Sequence, residues 1–143
     1  MNEILSMTGL LRSYLLEDEA VTAITTQIAH SSPAESDRVR PWVRITQLDA
    51  RNETRDERIE HLVNYYMQLD CYAGANNRFT EAEDLNRAVR AALVRMPEHT
   101  LEGVVVSSVV VASNPAPADT DLTPARQRFI LEVEILAHPD GES

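Results

Sequence analysis

The amino-acid sequence predicts an α+β fold of two layers, an antiparallel sheet of about four strands with helices packed on one face. Three observations lead there. Apolar residues recur every three or four positions near the amino terminus and again in the middle of the chain. The strand-like stretches fall in adjacent pairs, as antiparallel hairpins require. At 143 residues the chain can bury one core but not two. Residues 1–137 therefore read as a single domain and 138–143 as a flexible tail, with element order α, α, β, β, α, β, β.

The first helix is expected from Asn2 to Leu16, where Ile4, Leu5, Met7, Leu11, Tyr14 and Leu15 share a face. Asp18 suits the N-cap of a second, short helix carrying Val21, Ile24 and Ile28. His30 to Pro41 holds turn-formers without periodicity and reads as loop. The β-branched Val43, Ile45 and Thr46 favour a strand from Trp42 to Leu48, and the charged stretch around Arg51 to Arg58 reads as a solvated hairpin tip.

Leu62 to Ala73 alternates cleanly, with Val63, Tyr65, Met67, Leu69 and Cys71 on one face and Asn64, Gln68 and Asp70 on the other, the pattern of a half-buried strand. Thr80 and Glu83 have the spacing of a capping box and predict a helix start. That helix would turn Ala82, Leu85, Val89, Ala92, Leu93 and Met96 inward and Arg87, Arg90 and Arg95 outward, with Pro97 closing it. The valine run from Val104 to Val111 predicts a strand covered on both faces or central in its sheet. Ser113 to Ala125, with its prolines, reads as a long loop, and Arg128 to Ala137 as a last alternating strand.

Composition removes whole chemistries. The 13 basic residues are all arginine against 23 acidic ones, a net charge of −10. Without lysine there is no P-loop lysine, no Schiff base and no lysine general base. An acidic surface also opposes a tight grip on nucleic acid. The single Cys71 allows no internal disulfide, and His30, His61, His99 and His138 lack the spacing of a helical metal pair. The four glycines cannot build a phosphate loop. No apolar run approaches a membrane span and the amino terminus is unlike a signal peptide, so an intracellular product without membrane attachment is expected. No catalytic, cofactor or metal residue is expected.

What remains informative concerns association. Trp42 is either core filler or an interface anchor. A small sheet leaves edges to be blunted or paired with a neighbour. Arg51, Arg55 and Arg58 are candidates for pairing with acids on a neighbouring subunit.

The chain also resembles a known family, the tail terminator or tail completion proteins of long-tailed bacteriophages. The resemblance rests on LLRSYLLEDEAVTAI, RPWVRITQLD, VNYYMQLDCYAGANNRFTEAEDLNRAVRAAL and RQRFILEVEILAH. Its centre is a strand ending in Asp70, Cys71, Tyr72 and Ala73, a polar turn, and a helix reading A-x-x-L-x-x-A-V-R-x-A-L from Ala82 to Leu93. The resemblance implies a virion structural protein forming a homo-oligomeric ring, commonly a hexamer, at the head-proximal end of the tail. Such a ring stops polymerisation of the tail tube protein, offers the surface joined by a head-completion or connector protein, and lets DNA pass. It brings no catalytic residues. The absence of lysine and the proline-rich segment depart from the family pattern. An acidic lining would repel phosphates within about 8 to 10 Å at physiological salt, which makes Glu53, Glu57, Asp119 and Asp121 candidates for the lumen or its rim. Competing readings are another neck protein, such as a head-completion or stopper protein, and a small bacterial ligand-binding regulatory domain.

Overall fold

A computed structural model describes residues 7–52, 62–75, 78–119, 122 and 126–139. Its helices are α1 (Met7–Leu16), α2 (Glu19–Thr22) and α3 (Phe79–Val94), with 3-10 turns at Glu35–Asp37 and Met96–Glu98. Its strands are β1 (Ile28–Ala29), β2 (Trp42–Asn52), β3 (Val63–Tyr72), β4 (Thr100–Leu101), β5 (Val104–Asp119) and β6 (Arg126–Pro139).

The expected sheet of about four antiparallel strands is corrected to a six-stranded mixed sheet, ordered β1-β2-β3-β6-β5-β4 and curled into a half-barrel. Four long strands run antiparallel to their neighbours, while β1 adds a parallel rung on β2 and β4 an antiparallel rung on β5. Both additions are two residues long, too short to leave an alternation in the sequence.

One sheet face holds the core. Ile45, Met67, Leu69, Leu131, Val133 and Ile135 meet Leu11 and Leu15 of α1 and Leu85, Val89 and Leu93 of α3, all essentially inaccessible to water. Burying the side chains of Leu85, Val89, Leu93 and Met96 contributes roughly 1.5 to 3 kcal/mol each before entropy is subtracted. The inner face expected of α3 is the one observed. Asp18 caps α2 as expected, accepting from the Val21 amide at 3.0 Å, and its second oxygen takes Arg95 Nη2 at 2.7 Å, tying α2 to the end of α3.

Several local expectations change. Ile28 is in β1 rather than α2, because its backbone finds Val43 beside it and the run from Ile24 to Ile28 is mostly β-branched. Thr80 is not an N-cap: α3 begins at Phe79 with Arg78 in the cap position, and the Glu81 carboxylate accepts from the Gly74 amide, securing the approach to the helix from outside. The expected loop from Ser113 is strand as far as Asp119, because β6 offers a partner along its length. Pro115 is tolerated there since the side of β5 away from β6 needs no N–H. Nor is β5 covered on both faces, for Val110 is 60% exposed. At the other end β6 runs through His138 and Pro139, opposite Val105 and Val104, two residues into the stretch expected to fray.

Candidate assembly surface

The helix-free face of the sheet carries a charge cluster that cross-strand register assembles. Trp42 stands opposite Tyr72 and Tyr72 opposite Arg128; two pairs along, on the same face, Arg44 stands opposite Asp70. Residues facing each other across a ladder project to the same side, so β2, β3 and β6 bring two arginines to either side of Asp70. The Asp70 side chain is fully buried and receives Arg44 Nη2 at 2.7 Å, Gln68 Nε2 at 3.0 Å and, more distantly, Arg128 Nη1 at 3.7 Å. From β5, Asp119 accepts the Tyr72 hydroxyl at 2.7 Å and lies 3.7 Å from the same Arg128 nitrogen.

Two carboxylates and two guanidinium groups leave this cluster near neutrality, the condition for burying charge at tolerable cost. The Trp42 and Tyr72 rings stack at 4.6 Å, with the Arg44 guanidinium 5.6 Å from the Tyr72 ring centre. Burial, with the hydrogen bond to Asp119 as a second cause, pushes the Tyr72 phenol well above its ordinary value. For Arg44 burial acts to lower the value, but the Asp70 hydrogen bond and the surrounding negative charge outweigh it and the net direction is up. Burial likewise pushes the Cys71 thiol up, and Cys71 packs in the core beside the buried Asn86.

Among the described residues, no group of three or more His, Cys, Asp or Glu could hold a metal ion, and no helix is long and apolar enough to cross a membrane. A surface cleft of about 480 Å³ lies between α1 and the start of β4. Among its charged walls, Glu17, Asp18 and Arg95, the last two are paired with each other.

Of the residues singled out from the sequence, Trp42, Arg51 and Asp119 are described, and Trp42 and Asp119 meet through Tyr72, which stacks on the first and donates to the second. Trp42 is fully buried within its own chain. Asp119 is 6% exposed, engaged by Tyr72 and Arg128 rather than presented at a surface. Arg51 lies on the exposed part of β2, where Nε meets Asp49 Oδ2 at 2.7 Å and the guanidinium sits 5.3 Å from the Tyr66 ring centre. Glu53, Arg55, Glu57, Arg58 and Asp121 lie outside the described residues, as does His61. Sequence reasoning placed Asp70 on a solvated face and gave Tyr72 and Arg128 no role. The available signal was an acid on the polar face of one strand with arginines in two others, and only the register makes it a cluster.

The sheet edges are the other feature of note. Beyond β1 and β4, among the described residues, β2 from Ile45 onward and β5 from Val106 onward have a ladder partner on one side only. Leu48 on β2 is 58% exposed and Val110 on β5 is 60% exposed.

Among the described residues the protein is thus a half-barrel sheet with helices on one face, a buried, near-neutral charge cluster on the other, and long stretches of β2 and β5 paired on one side. The model of the tail completion protein gp17 family matches residues 9–136. The chain belongs to that family and is a structural protein of a phage virion, at the tail or neck. A chain in the solved virion of a native gene transfer agent particle superposes with a TM-score of 0.67 over 93% of this chain and 95% of its own, at 13% identity, a likeness of fold. No curated protein sequence matches the chain.

Proposed function

We propose that copies of this protein form a closed collar, a hexameric ring, at the head-proximal end of the tail. The collar stops growth of the tail tube, binds the tube protein on one side, and offers a head-completion or connector protein the joining surface on the other. The family match over residues 9–136 carries this reading, and stretches of β2 and β5 that, among the described residues, are paired on one side only support it. The protein acts by shape and backbone pairing, with no bond made or broken.

On this reading Arg51, Arg55 and Arg58, around the connection between β2 and β3, pair with acids of a neighbouring subunit, while Glu53, Glu57 and Asp121 contribute to the rim of the DNA passage. Asp119 is committed within its own chain. Exposed acids on the helix-free face, Glu132 and Glu134 of β6, add to the negative side. Deleting the gene tests the function: tails of uncontrolled length and unattached heads are expected, and particles with normal shafts and joined heads overturn the proposal.

A further inference from the structure

We propose that neighbouring copies join edge to edge, the free side of β5 from Ser108 to Asn114 pairing with the free side of β2 from Ile45 to Asn52 on the next copy. The sheets then run on as one around the assembly. This deepens the collar reading and rests on it.

The β5 edge differs from those of a sheet meant to stay solvated, while the β2 edge carries an irregularity and the Asp49–Arg51 pair yet leaves Leu48 exposed. Natural edges are blunted by charge, proline, bulges or very short strands. On β5 the register shifts fall between Val106 and Ser108 and between Ala116 and Asp119, so the stretch between them is a regular strand. From Ser108 to Asn114 it holds neither a charged residue nor a proline, and it exposes Val110. On β2 the irregularity between Gln47 and Asp49 coincides with Leu48, whose side chain is left in solvent.

Strand direction selects the occupant. β2 is antiparallel to β3, β3 to β6, and β6 to β5, so β2 and β5 point in opposite senses. A second copy following in the same orientation therefore presents its β2 antiparallel to β5 of the first, with the helix faces on the same side. Such a head-to-tail contact repeats and can close into a ring, whereas β5 against β5 stops at a two-fold dimer and leaves β2 open. Charge permits the approach. Copies with a net charge of −10 repel one another, but the β5 strip is uncharged and Asp49 on the β2 strip is already paired with Arg51.

The test uses two single variants of the full chain, Val110→Lys and Leu48→Lys, each at an exposed position, followed by light scattering after size separation. Unaltered protein should run as a multimer and each variant alone as one chain. The two mixed should give a dimer of one copy of each, because one intact β5 edge and one intact β2 edge remain. Multimers of unchanged mass in both variants overturn the edge pairing while leaving the collar standing. Loss of assembly in Val110→Lys alone assigns β5 to a symmetric contact and also overturns it. Unaltered protein that stays a single chain at every concentration overturns the collar and the pairing together. Amide exchange on the unaltered protein gives a reading free of any effect of substitution on folding: protection gained on assembly across Ser108–Asn114 and Ile45–Asn52 is expected, and unchanged exchange there refutes the contact.

Discussion

Asp70 is a carboxylate held in a fully buried position by arginines from two neighbouring strands. Its neutralisation by substitution leaves Arg44 and Arg128 facing each other without a common partner. Removing one side of a buried ion pair costs about 3 to 5 kcal/mol, so Asp70→Asn should lower unfolding stability by roughly that amount in a denaturant titration. Tyr72 makes a different prediction. Its folded phenol is held well above the ordinary value of 10.0, so the unfolded chain loses this proton first as pH rises. The stability it contributes is intact below pH 10 and declines above it. Tyr72→Phe leaves Asp119 without its hydroxyl donor, a loss of about 1 to 3 kcal/mol at pH 7. It should also flatten the fall in stability between pH 9.5 and 11 relative to the unaltered protein, measured by unfolding at a series of alkaline pH values. An equally steep fall in both would assign the alkaline effect to the other buried weak acids, Cys71 and Tyr65, whose values are also raised.

At the scale of elements, the passage from β3 into α3 rests on a close approach. A Cβ added to Gly74 would lie 2.6 Å from the Val39 carbonyl oxygen and 2.9 Å from the Arg40 carbonyl carbon. The same turn is fastened by the Gly74 amide on Glu81 and by the Ala75 amide on the Val39 oxygen at 3.0 Å. Both neighbours of the added methyl are backbone and cannot rotate aside, so Gly74→Ala should destabilise by about 1 to 3 kcal/mol, as overpacking does. A melting temperature unchanged by the substitution would show that this approach is looser than described. The turn between β4 and β5 is fastened differently, with Glu102 and Gly103 both at positive φ, 47° and 81°. That is the backbone of the tight two-residue hairpin whose twist matches its strands.

For the whole molecule, the balance of charge is the governing quantity. Arg44 and Arg128 are paired with Asp70 and Arg95 with Asp18, so the excess of acids behind the net charge of −10 is carried by other residues. In the proposed collar this charge would suit a DNA passage, since a negative wall repels phosphates within a Debye length of about 8 to 10 Å. Purified protein should therefore leave a DNA band unshifted even at low salt. A shift there would contradict this account of the charge while leaving family and fold untouched.

Local pattern alone determined the existence of α1 and α3, the inward face of α3 from Ala82 to Leu93, the alternation of β3 and β6, and the family resemblance carried by the stretch around Asp70 to Leu93. Each of these is written in the spacing of apolar residues over a dozen positions, and burial enforces what that spacing says. Tertiary structure decided the rest. Strands of two residues have no periodicity to read, so β1, β4 and the mixed order of the sheet appear only once neighbours pair. Segments rich in proline and serine can be loop or edge strand, and it is β6 that draws Ser113 to Asp119 into β5. The cluster around Asp70 depends on cross-strand register. Residues from four strands meet there by long-range pairing, a choice made by the packing of the whole core rather than by any stretch of sequence.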